Sequence, residues 1–281
     1  MGEPFIGSES VAAGRLLKSA LRTRYTRVFR DVYVAPNTEL TPEILAQAGW
    51  LWSRRKGIVA GRTAAALHGA EWFESTDAVE LIHTNRNPHP GLKVYTAPYD
   101  ADEIMTIAGV PVTTPARTAL DIGCWHARDD AVVALDALAR ATDVKQADAL
   151  LLAQRRIGRR NIRDADIALG LMDGGAQSPR ETWLRLILID GGLPPPRTQI
   201  PVWDGPGDPF AYIDMGWEDI KVGVEYDGEH HRRSRRDYYW DILRHERLQR
   251  QGWMIVRVTL NDRPARILYR VRGARAGRLP Q

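Results

Sequence analysis

The segment that most constrains the fold is residues 221–228, KVGVEYDG, which reads as a β-strand carrying two carboxylates. Successive side chains of a strand point to opposite faces, so the apolar set that begins at Val222 should share one face. Glu225 and Asp227 should then share the other face. Burying a carboxylate costs several kcal/mol unless it is paired or bound to a metal, so this pattern predicts a site on one face of a sheet.

A third carboxylate, Asp214, ends the strand-like segment that precedes this one. An antiparallel turn over 215–221 would place Asp214 beside Glu225. Converging carboxylates raise each other's pKa unless a divalent cation neutralises them, and oxygen ligands of this kind suit Mg²⁺ or Mn²⁺. The alternative is a solvated strand end in which Asp227-Gly228 forms an ordinary turn.

The last third of the chain alternates helical and strand periodicity in a defined order. A helix to Leu188 is followed by three strands, a charged helix, a fourth strand and a closing helix, predicted over 198–203, 211–215, 221–226, 234–250, 253–258 and from about 263. This αβββαβα order predicts an α/β (α+β) fold with a mixed sheet flanked by helices. Gly174-Gly175 separates a domain over 1–175 from one over 176–281.

The front of the chain also mixes helices and short strands. The patterns predict helices over 8–20, 41–53, 60–69, 116–125, 129–141, 145–154 and 163–169, and strands over 79–83, 92–97 and 104–112. Thr41 should cap its helix, with Pro42 at the first position. Residues 155–160, RRIGRR, form a basic joint between two of these helices.

Charge, cysteine content and hydropathy narrow the class of protein. The net charge is +4; residues 1–175 carry 21 basic and 21 acidic residues, whereas 176–281 carry 18 and 14. Together with a basic cluster over 1–30, this favours a partner that carries phosphate, although an Arg-rich composition is also typical of GC-rich genomes.

The lone Cys124 excludes an internal disulfide and a Cys-based zinc cluster. No signal peptide or run of about 20 apolar residues is present, so we expect a cytoplasmic protein without a membrane partner.

A basic run lies between the strand at 221–226 and the charged helix. It contains four arginines beside a Tyr-Tyr-Trp triplet: Arg232, Arg233, Arg235 and Arg236. Arginines together with aromatic rings can hold a nucleic-acid backbone. Positive charges at a helix N-terminus are also unfavourable beside the positive end of the helix dipole, so a bound anion such as phosphate would stabilise them. A solvated helix start is the alternative. Asp241 and Arg244, three residues apart on the same helix, have either a salt bridge or a role in the site.

Glu181 has two interpretations. Ser178-Pro179-Arg180-Glu181 has the pattern of a capping box, with serine at the cap and glutamate three residues on. The same carboxylate could support the acids at Asp214 and Glu225, and the two roles are compatible.

These residues together resemble a restriction-endonuclease-like nuclease core of the PD-(D/E)XK superfamily. The match runs over about 176–275 and combines Glu181, Asp214, the run EYDGEHH from Glu225 to His231, the Asp241–Arg244 helix and the strand GWMIVR over 252–257. It is nearest to the branch similar to very-short-patch-repair endonucleases. The resemblance implies hydrolysis of DNA phosphodiester bonds with Mg²⁺ or Mn²⁺ held by Asp214 and Glu225, with Glu181 in support.

The sequence departs from the superfamily at Asp227, which stands where a lysine is usual. By its position Asp227 stays among the candidate catalytic residues, and the resemblance gives the charge-stabilising role to His231. A histidine near neutrality can pass a proton to or from the reacting oxygens. His230 and Arg244, with the arginine run, are candidate nucleic-acid contacts. The alternative for the His230-His231 pair is a surface position at a helix entry.

The front part resembles AbiEi-type abortive-infection antitoxin-like proteins. The matching segments, within about 10–140, are RVFRDVYV over 27–34, GRTAAALHG over 61–69 and TTPARTALD over 113–121. The resemblance implies a winged-helix-derived module that binds DNA or a protein partner, such as a cognate toxin, antitoxin or repair protein. His68 is expected to pack between helix and strand layers and not to act as a ligand.

Two hypotheses follow from the sequence. The first is a Mg²⁺-dependent DNA endonuclease whose residues 1–175 position the substrate or a partner. The second is an antitoxin-like regulator that binds nucleic acid through a catalytically inactive nuclease fold, which the aspartate at position 227 favours. A structure-specific ribonuclease is a third option.

Overall fold

The computed structural model describes residues 2–73, 76–84, 89–156, 158–228 and 235–278, the side chains of residues 235–238 excepted. Within these residues the chain has a mixed α+β fold with eleven α-helices and three sheets, one antiparallel and two mixed, which confirms the predicted class. Its internal contacts form two compact units that divide between Gly174 and Gly175. None of the helices in the described ranges combines the length and apolar character needed to cross a membrane.

The first unit contains two sheets. An antiparallel sheet has the order β1-β3-β2, formed by β1 (Phe5–Ile6), β2 (Thr26–Phe29) and β3 (Val32–Val34). A mixed sheet has the order β6-β5-β4-β8-β7, formed by β4 (Ile58–Val59), β5 (Val79–Ile82), β6 (Leu92–Tyr95), β7 (Ile104–Ile107) and β8 (Val110–Thr113).

Eight helices accompany these sheets: α1 (Gly7–Ala12), α2 (Lys18–Arg24), α3 (Pro42–Trp52), α4 (Gly61–Leu67), α5 (Pro115–Trp125), α6 (Arg128–Ala141), α7 (Gln146–Arg155) and α8 (Ile162–Gly170). Thr41 caps α3 as predicted, because its hydroxyl accepts from the backbone amide of Ile44 at 3.4 Å. Helix α3 packs its apolar residues, including Leu45 and Leu51, into a core that both sheets supply.

Two elements of this unit differ from the prediction. The single helix expected over 8–20 is two helices, because Gly14 adopts a left-handed φ of 68° and the chain turns after α1. The single strand expected over 104–112 is the antiparallel hairpin β7–β8, which turns at Ala108-Gly109, where both residues have a positive φ.

The second unit follows the predicted αβββαβα order. Its elements are α9 (Pro179–Asp190), β9 (Arg197–Val202), β10 (Ala211–Trp217), β11 (Val222–Tyr226), α10 (Arg235–Arg250), β12 (Met254–Val258) and α11 (Pro264–Ala276). The sheet order is β12-β11-β10-β9, with β11 parallel to β12 and the other pairs antiparallel. Helix α10 therefore makes the crossover between the two parallel strands.

The two faces of this sheet have separate apolar cores. On one face, α9 and α11 pack through Leu184 and Ile267 against the side chains of Val222 and Val224. On the other face, Leu248 of α10 packs with residues of β9 and β10. Helices thus cover both faces, and Glu225 is directed away from the face that Val222 and Val224 occupy, as the strand alternation predicts.

Candidate functional site

Asp214 lies within β10 and not at the end of a strand as the sequence suggested, because β10 continues to Trp217 and the turn comprises only 218–221. The strand register still brings it to Glu225, since Met215 pairs with Val224 one position further along. The backbone amide of Tyr226 donates to Asp214 Oδ2 at 2.8 Å. Asp214 is thereby fixed to the strand that carries Glu225.

The regular alternation of β10 is interrupted at Asp214. Ile213 belongs to the core on the α10 side, whereas Met215 belongs to the core on the α9 and α11 side, although residues two apart on a regular strand share a face. Gln199 of the neighbouring strand has a φ of 46° and lies between the paired positions that flank Asp214. Local irregularities of this kind re-aim side chains and are frequent beside functional sites.

The charge environment of Asp214 is strongly acidic. The pKa of its carboxyl is raised to about 7, mainly by burial and then by the negative charges of Glu181 and Glu225, while the Tyr226 amide and Arg244 act in the opposite direction. The charges of two further carboxylates thus act on Asp214. A buried carboxyl with acidic neighbours is therefore hard to deprotonate unless a cation lies close to it.

Glu225 is 7% exposed and forms a two-point ion pair with Arg244 of α10. Arg244 Nη2 donates to Oε1 at 2.6 Å and Nη1 donates to Oε2 at 3.1 Å. The same Nη2 also donates to the carbonyl oxygen of Tyr212 at 2.7 Å. Both oxygens of Glu225 are therefore engaged by a cation of this chain.

Ser178 caps α9 as predicted, but the reciprocal half of the capping box is shifted by one residue, because the Glu181 carboxylate accepts from the backbone amide of Gln177 and not from that of Ser178. The backbone amide of Glu181 donates to Ser178 Oγ at 3.2 Å, and its carboxylate accepts from the Gln177 amide at 2.8 Å and from Ser178 Oγ at 3.0 Å. Gln199 Nε2 also donates to this carboxylate, at 3.4 Å. Because Glu181 raises the pKa of Asp214 as well, the cap and the acidic site share one residue.

Asp241 and Arg244 do not form the salt bridge that was considered from their spacing. Asp241 instead pairs at two points with Arg257 of β12, at 2.7 and 2.8 Å. Arg257 lies opposite Glu225 in the parallel register. The Asp241 pair, with smaller contributions from Glu225 and Asp227, holds the pKa of Arg257 above its usual range.

A groove of about 420 Å³ lies along α10 next to Arg244. It is lined by Arg244, Arg247, Arg250, Trp240, Phe210 and Leu243. Arg247 stacks over the ring of Phe210, 4.1 Å from its centroid, and Trp240 is 56% exposed. Arg247 and Arg250 were not among the predicted site residues, although the three-residue spacing places Arg247 beside both Arg244 and Arg250 on the helix surface.

Several predicted site residues lie outside the described part of the chain: His230, His231, Arg232 and Arg233. Arg235 and Arg236 open α10, and their side chains are likewise not described. Asp227 follows β11, and its backbone amide donates to the Val258 carbonyl at 2.7 Å. Across the described residues, no three His, Cys, Asp or Glu side chains form a ready-made metal site.

His68 belongs to the first unit and is packed as expected. Its Nε2 lies 2.8 Å from the Thr113 carbonyl oxygen. Burial lowers the pKa of His68, and the hydrogen bond to Thr113 only partly offsets this. His68 joins α4 to the end of β8.

Two proteins of Mycobacterium tuberculosis are similar to this chain along most of its length. They are the uncharacterized protein Rv2248 of strain ATCC 25618 / H37Rv and the uncharacterized protein MT2308 of strain CDC 1551 / Oshkosh. Each is 28% identical over 248 residues, which cover 87% of this chain and 90% of the relative. No family model matches the chain, and no solved structure matches it.

Proposed function

We propose that the protein is a Mg²⁺- or Mn²⁺-dependent endonuclease that hydrolyses DNA phosphodiester bonds at the Asp214 site. The observation that carries this proposal is the buried carboxyl of Asp214 on the strand next to Glu225. The pKa of this carboxyl is raised to about 7 by burial first and by the charges of Glu181 and Glu225 in addition. Arg244 neutralises Glu225 and Glu181 lies at the start of α9, but neither contact accounts for a buried carboxyl at Asp214, and a buried acid with a shifted pKa is a candidate for a functional role. The αβββαβα order and the crossover through α10 also support a restriction-endonuclease-like core.

The donor set has the chemistry that a hard divalent cation prefers, because every candidate ligand atom is a carboxylate oxygen. Asp214 and Glu225 would hold the ion, with Glu181 in support. A bound Mg²⁺ supplies charge neutralisation and a more acidic bound water. The chain's own contribution is to hold the acids on adjacent strands and to free Glu225 from Arg244 when the ion binds.

The groove along α10 supplies contacts for the substrate backbone. Arginines bind phosphate oxygens, and exposed aromatic rings stack on unpaired bases. Arg247, Arg250 and Trp240 lie next to Arg244 and therefore next to the acids. His230, His231, Arg232, Arg233, Arg235 and Arg236 complete the proposal as phosphate contacts, with His231 as the proton-transfer group. The first unit is proposed to bind DNA or a toxin, antitoxin or repair partner in the cytoplasm.

The test is nicking of supercoiled plasmid by the full chain, with and without MgCl₂ or MnCl₂. Wild type should nick only with metal, and Asp214→Asn and Glu225→Gln should each abolish nicking. Asp208→Asn is the matched control, since Asp208 is an exposed carboxylate in the same unit. Nicking by Asp214→Asn at the wild-type rate would overturn the proposal.

One observation favours a second function, binding of nucleic acid without hydrolysis. Arg244 already neutralises Glu225, because its guanidinium group donates to both carboxylate oxygens, at 2.6 and 3.1 Å. An antitoxin-like regulator of this kind would bind DNA in a salt-dependent way that survives Asp214→Asn and Glu225→Gln. Binding without nicking at any metal concentration is the result that selects this function.

A further inference from the structure

The first unit contains a cavity of about 740 Å³ that the proposed nuclease site does not use. It lies between the end of β6, the end of α5 and the joint that connects α7 to α8. A cavity of this size is within the range typical of small-molecule sites. Its described lining includes Arg155, Arg156, Arg159 and Arg160 and contains no acidic residue.

The arginines of the cavity differ in how fully they are neutralised. Arg156 Nη2 donates to Glu103 at 2.6 Å and to Asp100 at 2.7 Å, and Arg159 Nη2 donates to Asp121 at 2.6 Å. The three acids do not line the cavity, and their hydrogen bonds hold the two guanidinium groups in place. Both arginines are therefore fixed side chains, and less of their rotational freedom is lost when a ligand binds.

Donors remain available on this wall. Arg156 Nε is buried and has no hydrogen-bond partner, although burying such a group unpaired is costly. Arg155 reaches Asp102 only at 3.4 Å, with half of its side chain exposed. Arg160 is exposed and makes no ion pair with any described residue. The wall thus has positive charge and N–H groups that this chain does not satisfy.

The opposite wall is aromatic and uncharged. Trp125 stacks on Tyr95 with ring centroids 3.7 Å apart, and the guanidinium carbon of Arg159 lies 5.8 Å from the Trp125 centroid. Cys124 also lines the cavity, and burial raises the pKa of its thiol to about 11, so it is neutral at physiological pH. A ligand that fills the space needs an anionic end and an apolar or planar end.

We propose that this cavity binds a small phosphorylated ligand of nucleotide size, with the phosphate held by Arg155, Arg156 and Arg160. The planar, permanently charged guanidinium matches phosphate oxygens at two points, which makes arginine the side chain suited to this anion. The planar end of the ligand lies towards Tyr95 and Trp125. This site is in the first unit and does not depend on the nuclease proposal.

The experiment is isothermal titration calorimetry of the full chain with ATP, AMP and inorganic pyrophosphate and, separately, with a 5′-phosphorylated oligonucleotide. ATP should bind, and Arg160→Ala should weaken binding by about tenfold or more, the loss expected for a charged hydrogen bond. Arg163→Ala is the matched control, because Arg163 is exposed, carries the same charge and lies outside the lining. It should change the affinity by less than about twofold, since an exposed charge outside the site contributes little.

Three outcomes would overturn the proposal. The first is that none of the three phosphates binds to wild type. The second is that Arg163→Ala weakens ATP binding as much as Arg160→Ala, which would show a general charge effect. The third is that only a 5′-phosphorylated oligonucleotide binds with dependence on Arg160, which would show that these arginines bind nucleic acid and not a free nucleotide. Thermal unfolding of both variants checks that the fold is retained.

Discussion

The guanidinium group of Arg244 covers both carboxylate oxygens of Glu225, at 2.6 and 3.1 Å. Glu225 is a proposed metal ligand, so Arg244 stands where a divalent ion would have to compete. The pair keeps a buried carboxylate neutralised when no ion is bound. It also couples helix α10 to the acids of the sheet.

Arg244→Gln should destabilise the second unit and make it more responsive to metal. Removing one partner of a buried pair costs about 3–5 kcal/mol, and because Arg244 is 29% exposed we expect roughly 1–3 kcal/mol. MgCl₂ should then raise the melting temperature of the variant more than that of wild type. Arg250→Ala, on the same helix face, is the control and should show neither effect. Equal Mg²⁺ responses of Arg244→Gln and wild type would argue against competition at Glu225.

The raised pKa of Asp214 predicts a dependence of stability on pH. Because the folded protein holds this proton up to about pH 7 and the unfolded chain releases it near 3.8, stability falls as pH rises between these values. Asp214→Asn removes that loss. Its free energy of unfolding should exceed that of wild type by up to a few kcal/mol above pH 7, and the difference should vanish near pH 4. Urea titrations of both proteins at several pH values measure it, and parallel profiles would contradict it.

Ser178 and Glu181 allow the cap and the acidic site to be separated. Ser178→Ala should cost about 1 kcal/mol of stability, as loss of a helix cap does, and leave metal-dependent nicking unchanged. Glu181→Gln keeps one side-chain oxygen that can still accept from the Gln177 amide, so its effect on stability should be smaller. It should lower the pKa of Asp214 and slow nicking. Loss of nicking in Ser178→Ala but not in Glu181→Gln would show that nicking depends on the helix cap and not on the charge of Glu181.

Arg117 holds together the charged core of the first unit. Its side chain is fully buried, pairs with Glu103 and donates to Asp121 at 2.9 Å. Arg117→Met should therefore destabilise this unit by about 3–5 kcal/mol, because two buried carboxylates lose a partner. Arg54→Ala breaks the exposed pair with Asp31 and should cost less than about 1 kcal/mol. Similar costs for the two variants in chemical denaturation would contradict this reading.

Much of the second unit could be predicted because its signals are local. Strand alternation assigned the two faces of β11, and the Ser178–Glu181 spacing predicted a cap that forms. The pair between Arg244 and Glu225 could not be predicted, since it depends on how α10 lies across the sheet. The interruption of β10 at Asp214 was also missed, because the alternation rule assumes regular strands, whereas Gln199 on the neighbouring strand has a left-handed φ.

The first unit shows the same limit. The basic joint before α8 was visible in the sequence, but its arginines could have been a solvated surface. Only the fold brings Arg156 and Arg159 to Glu103 and Asp121, which are more than 35 residues away along the chain. Contacts at such separations arise from sheet order and helix packing, which residue spacing does not encode.

The stacking of Tyr95 on Trp125 gives the cavity an optical reporter. Two parallel rings at 3.7 Å couple their ultraviolet transitions, so this pair should produce a circular dichroism band above 250 nm that is distinct from isolated tryptophans. Burial, with the charge of Glu80, raises the pKa of Tyr95, so the phenol stays neutral and the band does not titrate in the physiological range. A ligand that moves Arg159 away from the Trp125 indole would change that band, so binding in the cavity could be followed by circular dichroism without an added label.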